Sequence, residues 1–255
     1  MRKIFKIILI NNTIVSYHKK GNLNENIPVF LHGWQSSSLS FKTILDSLEN
    51  YIAIDLPGFG KSEKPDLNWG LDDYAMFLYN FLKKMEIKNP ILVGHSFGGS
   101  IALKFCLKGY DVKKIFLIDS AGIRKKGIKV FMLKVVSKIL KAPFYLPGLK
   151  SVKNRVREKF YKKINATDYI DSGPMKEFYK KIIKEDLTPE LDKVKSKTII
   201  IWGEEDKETS LRDANLFNKL INDSELFIIK DAGHFPFLDQ PEEFNKIFTS
   251  KLYAN

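Results

Sequence analysis

A serine between two glycines is the side chain of this sequence best placed to act as a nucleophile. The sequence Gly-His-Ser-Phe-Gly occupies 94–98, after an apolar run at 91–93 and before a helical pattern that begins at Gly98. Glycines on both sides allow a tight strand-to-helix turn that exposes the serine hydroxyl above the sheet. The start of the helix also directs amide donors toward developing negative charge. The pattern therefore predicts that Ser96 is a nucleophile.

A serine hydroxyl becomes an effective nucleophile when a base takes its proton. The chain has four histidines, and only His234 lies downstream of Ser96. His234 follows an apolar run at 226–229, so it belongs at the carboxyl edge of a sheet. We expect His234 to be the base. His32 and His95 each adjoin a backbone turn that supplies amide donors, and we interpret both as structural.

An acidic residue should orient His234, and the sequence offers several candidates. Asp206 follows an apolar run and lies between the serine and the histidine in the chain, so it is preferred. Glu204 and Glu205 are its neighbours, which keeps the local assignment open. Asp119 is the principal alternative, because it ends another predicted strand that borders the same site.

The sequence His-Gly-Trp at 32–34 follows a predicted strand at 28–31, where a second oxyanion donor is needed. The backbone N–H groups of Trp34 and Phe97 are predicted to bind the oxygen of a tetrahedral intermediate. The chemistry needs backbone donors there, so the identity of the side chains is secondary.

The segment 55–62 ends in Gly-Lys-Ser and so imitates a phosphate-binding loop. The first glycine of that pattern would fall at position 55, which is Asp55. Nucleotide binding is therefore not expected. Gly58 and Gly60 instead indicate a tight loop at the rim of the site.

Eight short apolar runs predict strands, and five longer runs with helical spacing lie between them or after the last one. The predicted strands are 4–10, 13–18, 28–31, 51–55, 91–93, 114–118, 198–202 and 226–229. The predicted helices are 38–49, 71–85, 98–108, 211–221 and 241–251. This alternation predicts an α/β protein with a mostly parallel sheet covered by helices on both faces.

The alternation is interrupted once, after the sixth predicted strand. The segment 122–192 has helical patterns and no predicted strand, and it holds 18 Lys and Arg against 8 Asp and Glu. The remainder of the chain has 24 against 22. Such an insertion should cover the carboxyl ends of the strands. We predict a core of 1–121 and 193–255 and a helical cap at 122–192, with an apolar pocket suggested by Phe131, Phe144, Tyr145 and Phe178.

Composition narrows the setting and the partners. With 255 residues, of which 44% are hydrophobic, the chain can bury a substantial core. Cys106 is the only cysteine, so we expect no internal disulfide and a reducing, cytoplasmic setting. No apolar stretch approaches the roughly 18 residues of a membrane span, so stable membrane insertion is not expected. The net charge of +12 lies mainly in the cap, which favours an acidic carrier protein over nucleic acid as a charged partner.

Five motifs, in order, resemble the α/β-hydrolase superfamily over essentially the whole chain outside the cap. They occupy 32–34, 55–62, 94–99, 202–206, and 233–234 with 240–242. The resemblance implies the α/β-hydrolase fold, with an eight-stranded, mostly parallel sheet and a helical cap after the sixth strand. It also implies a triad of Ser96, His234 and Asp206, with no metal or organic cofactor.

Departures from the patterns of known subfamilies favour an esterase. Dehalogenases and epoxide hydrolases of this fold have Asp at the nucleophile position, where this chain has Ser96. Enzymes that cleave ring-fission products usually have Gly-Asn-Ser at the turn, and this chain has Gly-His-Ser. We therefore expect a serine carboxylesterase that acts on a small-molecule ester with a small or medium acyl group. The alternatives are hydrolysis of acyl thioesters or of methyl esters on acyl carrier protein, hydrolysis of a C–C bond, and ligand binding without turnover.

Overall fold

The computed structural model describes residues 5–22, 26–65, 69–124 and 175–254. Most of the predicted cap therefore lies outside the described residues. The same holds for Phe131, Phe144 and Tyr145, which were expected to line a pocket.

Eight strands form one sheet, as predicted, and their boundaries differ from the predicted ones by two residues at most. The sheet order is β1-β2-β4-β3-β5-β6-β7-β8, and only the pairings of β2 with β1 and with β4 are antiparallel. The strands are β1 (Lys6–Ile10), β2 (Thr13–Lys20), β3 (Pro28–Leu31), β4 (Tyr51–Ile54), β5 (Ile91–His95), β6 (Lys114–Ile118), β7 (Lys197–Gly203) and β8 (Ser224–Ile229).

Helices cover both faces of the sheet. The described helices are α1 (Lys42–Leu45), α2 (Leu71–Lys84), α3 (Phe97–Leu107), α4 (Lys176–Ile182), α5 (Leu211–Leu220), α6 (Pro236–Asp239) and α7 (Pro241–Tyr253), with 3-10 turns at Ser38–Phe41 and Thr188–Lys193. Within the described ranges, none of the helices combines the length and the apolarity needed to cross a bilayer.

One predicted helix is wrong in extent. The periodicity of 38–49 predicts a single helix, whereas the structure has a 3-10 turn followed by the four-residue helix α1. Two serine hydroxyls bond to nearby carbonyls there: Ser40 Oγ donates to Ser37 O, and Ser47 Oγ donates to Ile44 O. Such local bonds compete with the helical hydrogen-bond pattern and shorten the helix.

The sheet separates two apolar layers, and the central strands contribute to both. In β5, Leu92 packs into the layer that holds α2, α3 and α5, while Ile91 and Val93 pack into the layer of α1, α6 and α7. Successive side chains of a strand point to opposite faces, so a strand that is buried on both sides is a nearly continuous apolar run. This requirement explains why the sequence identified the central strands well. It also leaves polar side chains to the loops at the carboxyl edge.

Candidate active site

The turn between β5 and α3 holds Ser96 in an unusual backbone conformation, with φ 49° and ψ −113°. A positive φ is unfavourable for a residue with a side chain and persists only where the surroundings enforce it. A Cβ on Gly98 would lie 1.9 Å from Leu31 O, and a Cβ on Gly94 would lie 2.5 Å from Gly98 O. The two glycines of the motif are therefore required by close backbone packing around Ser96.

Two backbone hydrogen bonds also join the turn to the chain that leaves β6. Ser96 N donates to Ile118 O at 3.0 Å, and Ala121 N donates to Ser96 O at 3.0 Å. The turn is thus held on one side by α3 packing on β3 and on the other by β6.

His234 and Asp206 meet in the loops that follow β8 and β7. His234 Nδ1 donates to Asp206 Oδ2 at 2.8 Å. Thr209 Oγ1 donates to the same oxygen at 2.6 Å, and the amides of Glu208 and Thr209 donate to Asp206 Oδ1 at 2.7 and 3.1 Å. Burial raises the pKa of Asp206, but hydrogen bonds from His234 and Thr209, together with the neighbouring Asp119, outweigh the effect of burial and lower the pKa to about 2. Asp206 is therefore ionised at neutral pH.

The other candidate acids occupy different positions. Glu204 and Glu205 are exposed. Asp119 follows β6 and is fully buried, with Oδ1 accepting a bond from Gly203 N at 3.0 Å. Burial raises the pKa of Asp119 well above its usual value, and the neighbouring Asp206 raises it further. Of these acids, Asp206 is the one whose carboxylate the imidazole contacts.

Asp119, Asp206 and His234 are side chains of types that can bind metals, and one donor atom from each lies within 4.8 Å of the other two. Hydrogen bonds already engage three of the atoms that a metal could use, namely His234 Nδ1 and both oxygens of Asp206. This donor set therefore fits an acid–base group better than a metal site.

Both remaining histidines of the site have structural hydrogen bonds. His95 Nε2 donates to His234 O at 2.7 Å, and His32 Nδ1 donates to Gly33 O at 2.7 Å while its Nε2 accepts from Leu56 N at 2.9 Å. Burial lowers the pKa of His95 to about 3 and that of His32 to about 4, so both rings are neutral. His95 joins the His234 loop to the serine turn directly.

Ser96 and the imidazole of His234 lie at the same carboxyl edge of the sheet, but no direct hydrogen bond between them is described. Among the described hydrogen bonds, none joins the Ser96 hydroxyl to His234 Nε2. Glu208 Oε2 lies 3.4 Å from Nε2 on the solvent side. Bonds between a nucleophile and its base are often long in the absence of substrate and shorten in the reactive complex.

The two residues predicted to supply oxyanion donors are in ring contact beside the serine. A Cβ on Gly33 would lie 3.3 Å from Ser96 Cβ, so the loop after β3 passes close to the turn. The centroids of Trp34 and Phe97 are 5.4 Å apart, and Phe59 from the rim loop lies 4.8 Å from Trp34. As the first residue of α3, Phe97 has an amide without an intrahelical acceptor.

The described end of the predicted cap packs onto the rings of Trp34, Phe97 and Phe59. The ring of Tyr179 in α4 lies 5.1 Å from that of Trp34, and Cε of Met175, the residue before α4, lies 2.4 Å from where a Cβ on Gly58 would be. Phe178 was expected to line a pocket, but it is only 2% exposed and belongs to the core. Met175 and Tyr179 were missed, although their four-residue spacing on an apolar helical face could have identified them.

Sequence reasoning also missed Thr209, which donates two hydrogen bonds to Asp206, one from its amide and one from its hydroxyl. The signal was the pattern Asp-x-x-Thr at 206–209. Aspartate side chains commonly accept bonds from amides two and three residues later, and a threonine at that position adds a hydroxyl donor.

The model of the alpha/beta hydrolase family matches residues 29–247, so the chain belongs to that family. Lipase 1 of Psychrobacter immobilis is 27% identical, with 99% of this chain and 86% of the relative covered. The 2-hydroxy-6-oxo-6-(2'-aminophenyl)hexa-2,4-dienoic acid hydrolase of Metapseudomonas resinovorans is 26% identical over 93% of this chain and 80% of the relative. The solved esterase of Exiguobacterium antarcticum superposes with a TM-score of 0.77 at 21% identity, over 98% of this chain and 100% of the esterase. The chain is a hydrolase of this family.

Proposed function

We propose that this hydrolase cleaves a carboxylic ester of a small or medium acyl group, with Ser96 as nucleophile, His234 as base and Asp206 as the orienting acid. The observation that carries the proposal is the 2.8 Å hydrogen bond from His234 Nδ1 to the ionised Asp206, in loops that adjoin the serine turn. With Nδ1 protonated, Nε2 of the neutral ring is the proton acceptor. The lipase among the relatives supports ester chemistry.

In the first half of the reaction, His234 Nε2 takes the proton of Ser96 Oγ as Oγ bonds to the carbonyl carbon of the ester. The carbonyl oxygen becomes an oxyanion, which the backbone amides of Trp34 and Phe97 bind. Asp206 stabilises the imidazolium. The C–O bond of the ester then breaks, and the imidazolium gives its proton to the departing alcohol, which leaves an acyl group on Ser96.

In the second half, water replaces the alcohol. His234 takes a proton from the water, whose oxygen attacks the acyl carbon. The bond to Ser96 Oγ breaks, Oγ recovers a proton from His234, and the carboxylic acid leaves. No group outside the chain is needed other than ester and water.

A fluorophosphonate probe tests the nucleophile. We expect wild type to be labelled at Ser96, located by mass spectrometry, and Ser96→Ala to be unlabelled. Ser100→Ala is the matched control, because Ser100 is buried in α3 one helical turn later and should leave labelling intact. A folded wild type that the probe does not label would contradict the proposal.

The acyl range can be measured with p-nitrophenyl esters of increasing chain length. The aromatic rings of Trp34 and Phe59, with Tyr179 packed on Trp34, support an apolar acyl site of limited length. We expect kcat/KM to rise with acyl length and then fall.

A C–C bond hydrolase is the second candidate, and the relative from Metapseudomonas resinovorans favours it. A 2-hydroxy-6-oxo-dienoic acid should be assayed beside the ester panel. We expect the ester to be preferred, and a higher kcat/KM for the dienoic acid would reverse the order of the two candidates.

The basic segment 122–192 supports a further variant of the proposal, in which an acyl thioester or a methyl ester on an acidic carrier protein docks there. Turnover of such a substrate should weaken as salt rises, while turnover of neutral p-nitrophenyl acetate should not. Equal salt dependence of the two substrates would remove the carrier protein as a partner.

A further inference from the structure

Asp119 is a buried acidic residue next to the proposed triad for which the mechanism above has no role. Its side chain follows β6 and is completely buried. One of its carboxyl oxygens lies within 4.8 Å of both a carboxyl oxygen of Asp206 and a ring nitrogen of His234. Two carboxylates and an imidazole are thus close together in a site that excludes much of the solvent.

The side chains of Asp206 and Asp119 accept very different numbers of hydrogen bonds. Asp206 accepts four bonds, from His234 Nδ1, Thr209 Oγ1 and the amides of Glu208 and Thr209. Asp119 accepts one side-chain bond, from Gly203 N at 3.0 Å. The second oxygen of Asp119, Oδ2, is buried and accepts no hydrogen bond from any described residue.

This difference in hydrogen bonding indicates which of the two carboxyls is ionised and which is protonated. An ionised carboxylate is stable in a buried site when donors surround it, as they surround Asp206. A buried oxygen without a donor instead suits a protonated carboxyl, whose O–H can donate to a neighbour. A carboxyl oxygen of Asp119 lies within 4.8 Å of a carboxyl oxygen of Asp206, so the ionised Asp206 is the acceptor nearest to hand for such an O–H.

We propose that Asp119 is a positioning residue whose protonated carboxyl donates a hydrogen bond to Asp206, so that the two aspartates together carry one negative charge beside His234. The proposal rests on the proposed role of Asp206. The direction of the Asp119 pKa agrees, since burial first and Asp206 second raise it well above the usual range.

The charged and titratable groups that face Asp119 are Asp206, His234 and, from α6, Asp239. A second negative charge at Asp119 would stabilise the imidazolium and leave less neutral His234 to act as base at neutral pH. A neutral donor avoids this effect. It also holds the Asp206 carboxylate in the orientation that His234 Nδ1 requires.

The titration of the His234 ring tests the proposal independently of turnover. The ring signal can be followed by NMR in protein labelled with ¹⁵N-histidine and assigned with His234→Ala. Asp119→Asn keeps a neutral donor, and φ 41° at this position suits Asn. We expect the titration midpoint of the His234 ring to change by less than about 0.3 pH unit in Asp119→Asn. A fall of about one unit or more would show that wild-type Asp119 is ionised and would overturn the proposal.

Activity supplies the second readout. We expect kcat/KM of Asp119→Asn to stay within about threefold of wild type, and that of Asp119→Leu, which has no donor, to fall about tenfold or more. A loss in Asp119→Asn as large as in Asp119→Leu would contradict the proposal. If Asp119→Leu does not fold, the titration of Asp119→Asn decides alone.

These outcomes separate the two proposals. A wild type that resists fluorophosphonate, with an unchanged ring titration in Asp119→Asn, would contradict the proposed function and retain the proton assignment. A labelled wild type with a large shift in Asp119→Asn would overturn only the role of Asp119.

Discussion

The turn after β5 and the turn after β7 each present one residue of the proposed triad, but they are held in place by different forces. Around Ser96, backbone atoms pack so closely that Gly94 and Gly98 have no room for a Cβ. Around Asp206, hydrogen bonds to a single side chain fix the loop, and Thr209 supplies two of them. Changes in the first turn should therefore damage the fold, and changes in the second should damage the chemistry while the protein remains folded.

The largest expected effect is on the chemistry of the second turn. In Asp206→Asn, a neutral amide replaces the carboxylate that, in the proposed mechanism, fixes the His234 tautomer and stabilises the imidazolium. We expect kcat to fall about 10³–10⁴-fold. Single-turnover kinetics with a p-nitrophenyl ester would measure the loss. Retention of more than about a tenth of the activity would mean that Asp119 serves as the acid.

The same variant should show only a moderate, pH-dependent loss of stability. The pKa of Asp206 is lowered from 3.8 to about 2, so its ionisation stabilises the fold above the unfolded value and this stabilisation is lost as pH falls through about 2. We expect Asp206→Asn to lose about 2 kcal/mol at neutral pH, and the difference from wild type to narrow between about pH 4 and 2. Urea unfolding at several pH values would show whether the difference narrows.

In the turn after β5, by contrast, a substitution should mainly lower the stability of the fold. In Gly98→Ala, the new Cβ would meet the backbone carbonyl of Leu31 at 1.9 Å, and backbone cannot move aside as a flexible side chain can. We expect a loss of about 3 kcal/mol or more in the free energy of unfolding. The matched control is Gly109→Ala, where φ is 81° and no atom lies within 4 Å, so only backbone strain of about 1–2 kcal/mol applies. Equal losses in the two variants would refute the steric account of the serine turn.

A smaller effect is expected from the hydroxyl that supports Asp206. Thr209→Val keeps the shape but removes the donor that lies 2.6 Å from Asp206 Oδ2. We expect kcat/KM to fall about tenfold, because one charge-assisted hydrogen bond is lost. Thr209→Ser keeps the hydroxyl and should stay within about threefold of wild type. If the Val and Ser variants behaved alike, the hydroxyl would have no part in holding the acid.

The smallest expected effect comes from Glu208, whose exposed carboxylate lies 3.4 Å from His234 Nε2. Its charge favours the protonated ring, so Glu208→Gln should shift the acid limb of the kcat/KM profile to lower pH by a few tenths of a unit. Glu204→Gln, an exposed change in the same turn, is the control and should leave the limb in place. Raised salt should shrink the shift, and a shift that persists at high salt would point to a structural cause instead.

The sequence predicted β3 to β7 well because these strands are buried on both faces and are mostly apolar. It was less successful at 38–49, where Ser40 and Ser47 bond to the backbone and stop a helix that the apolar spacing favours. Periodicity reports which side of an element is buried, but it does not report local bonds that compete with the helix.

The sequence by itself predicted Ser96 as the nucleophile, because the constraint on that residue is local: a strand that ends in Gly94 and His95, the serine itself, and a helix that begins with Phe97 and Gly98 adjoin one another in the chain. It also left His234 as the only histidine in the required order. Only the tertiary structure separated Asp206 from Asp119 and Glu205. Those acids lie on loops up to 87 residues apart in the chain. Because the loops follow neighbouring strands at the same edge of the sheet, only their arrangement in space decides which acid contacts the imidazole. Hydrogen-bond donors from several loops then decide which buried carboxyl carries the charge.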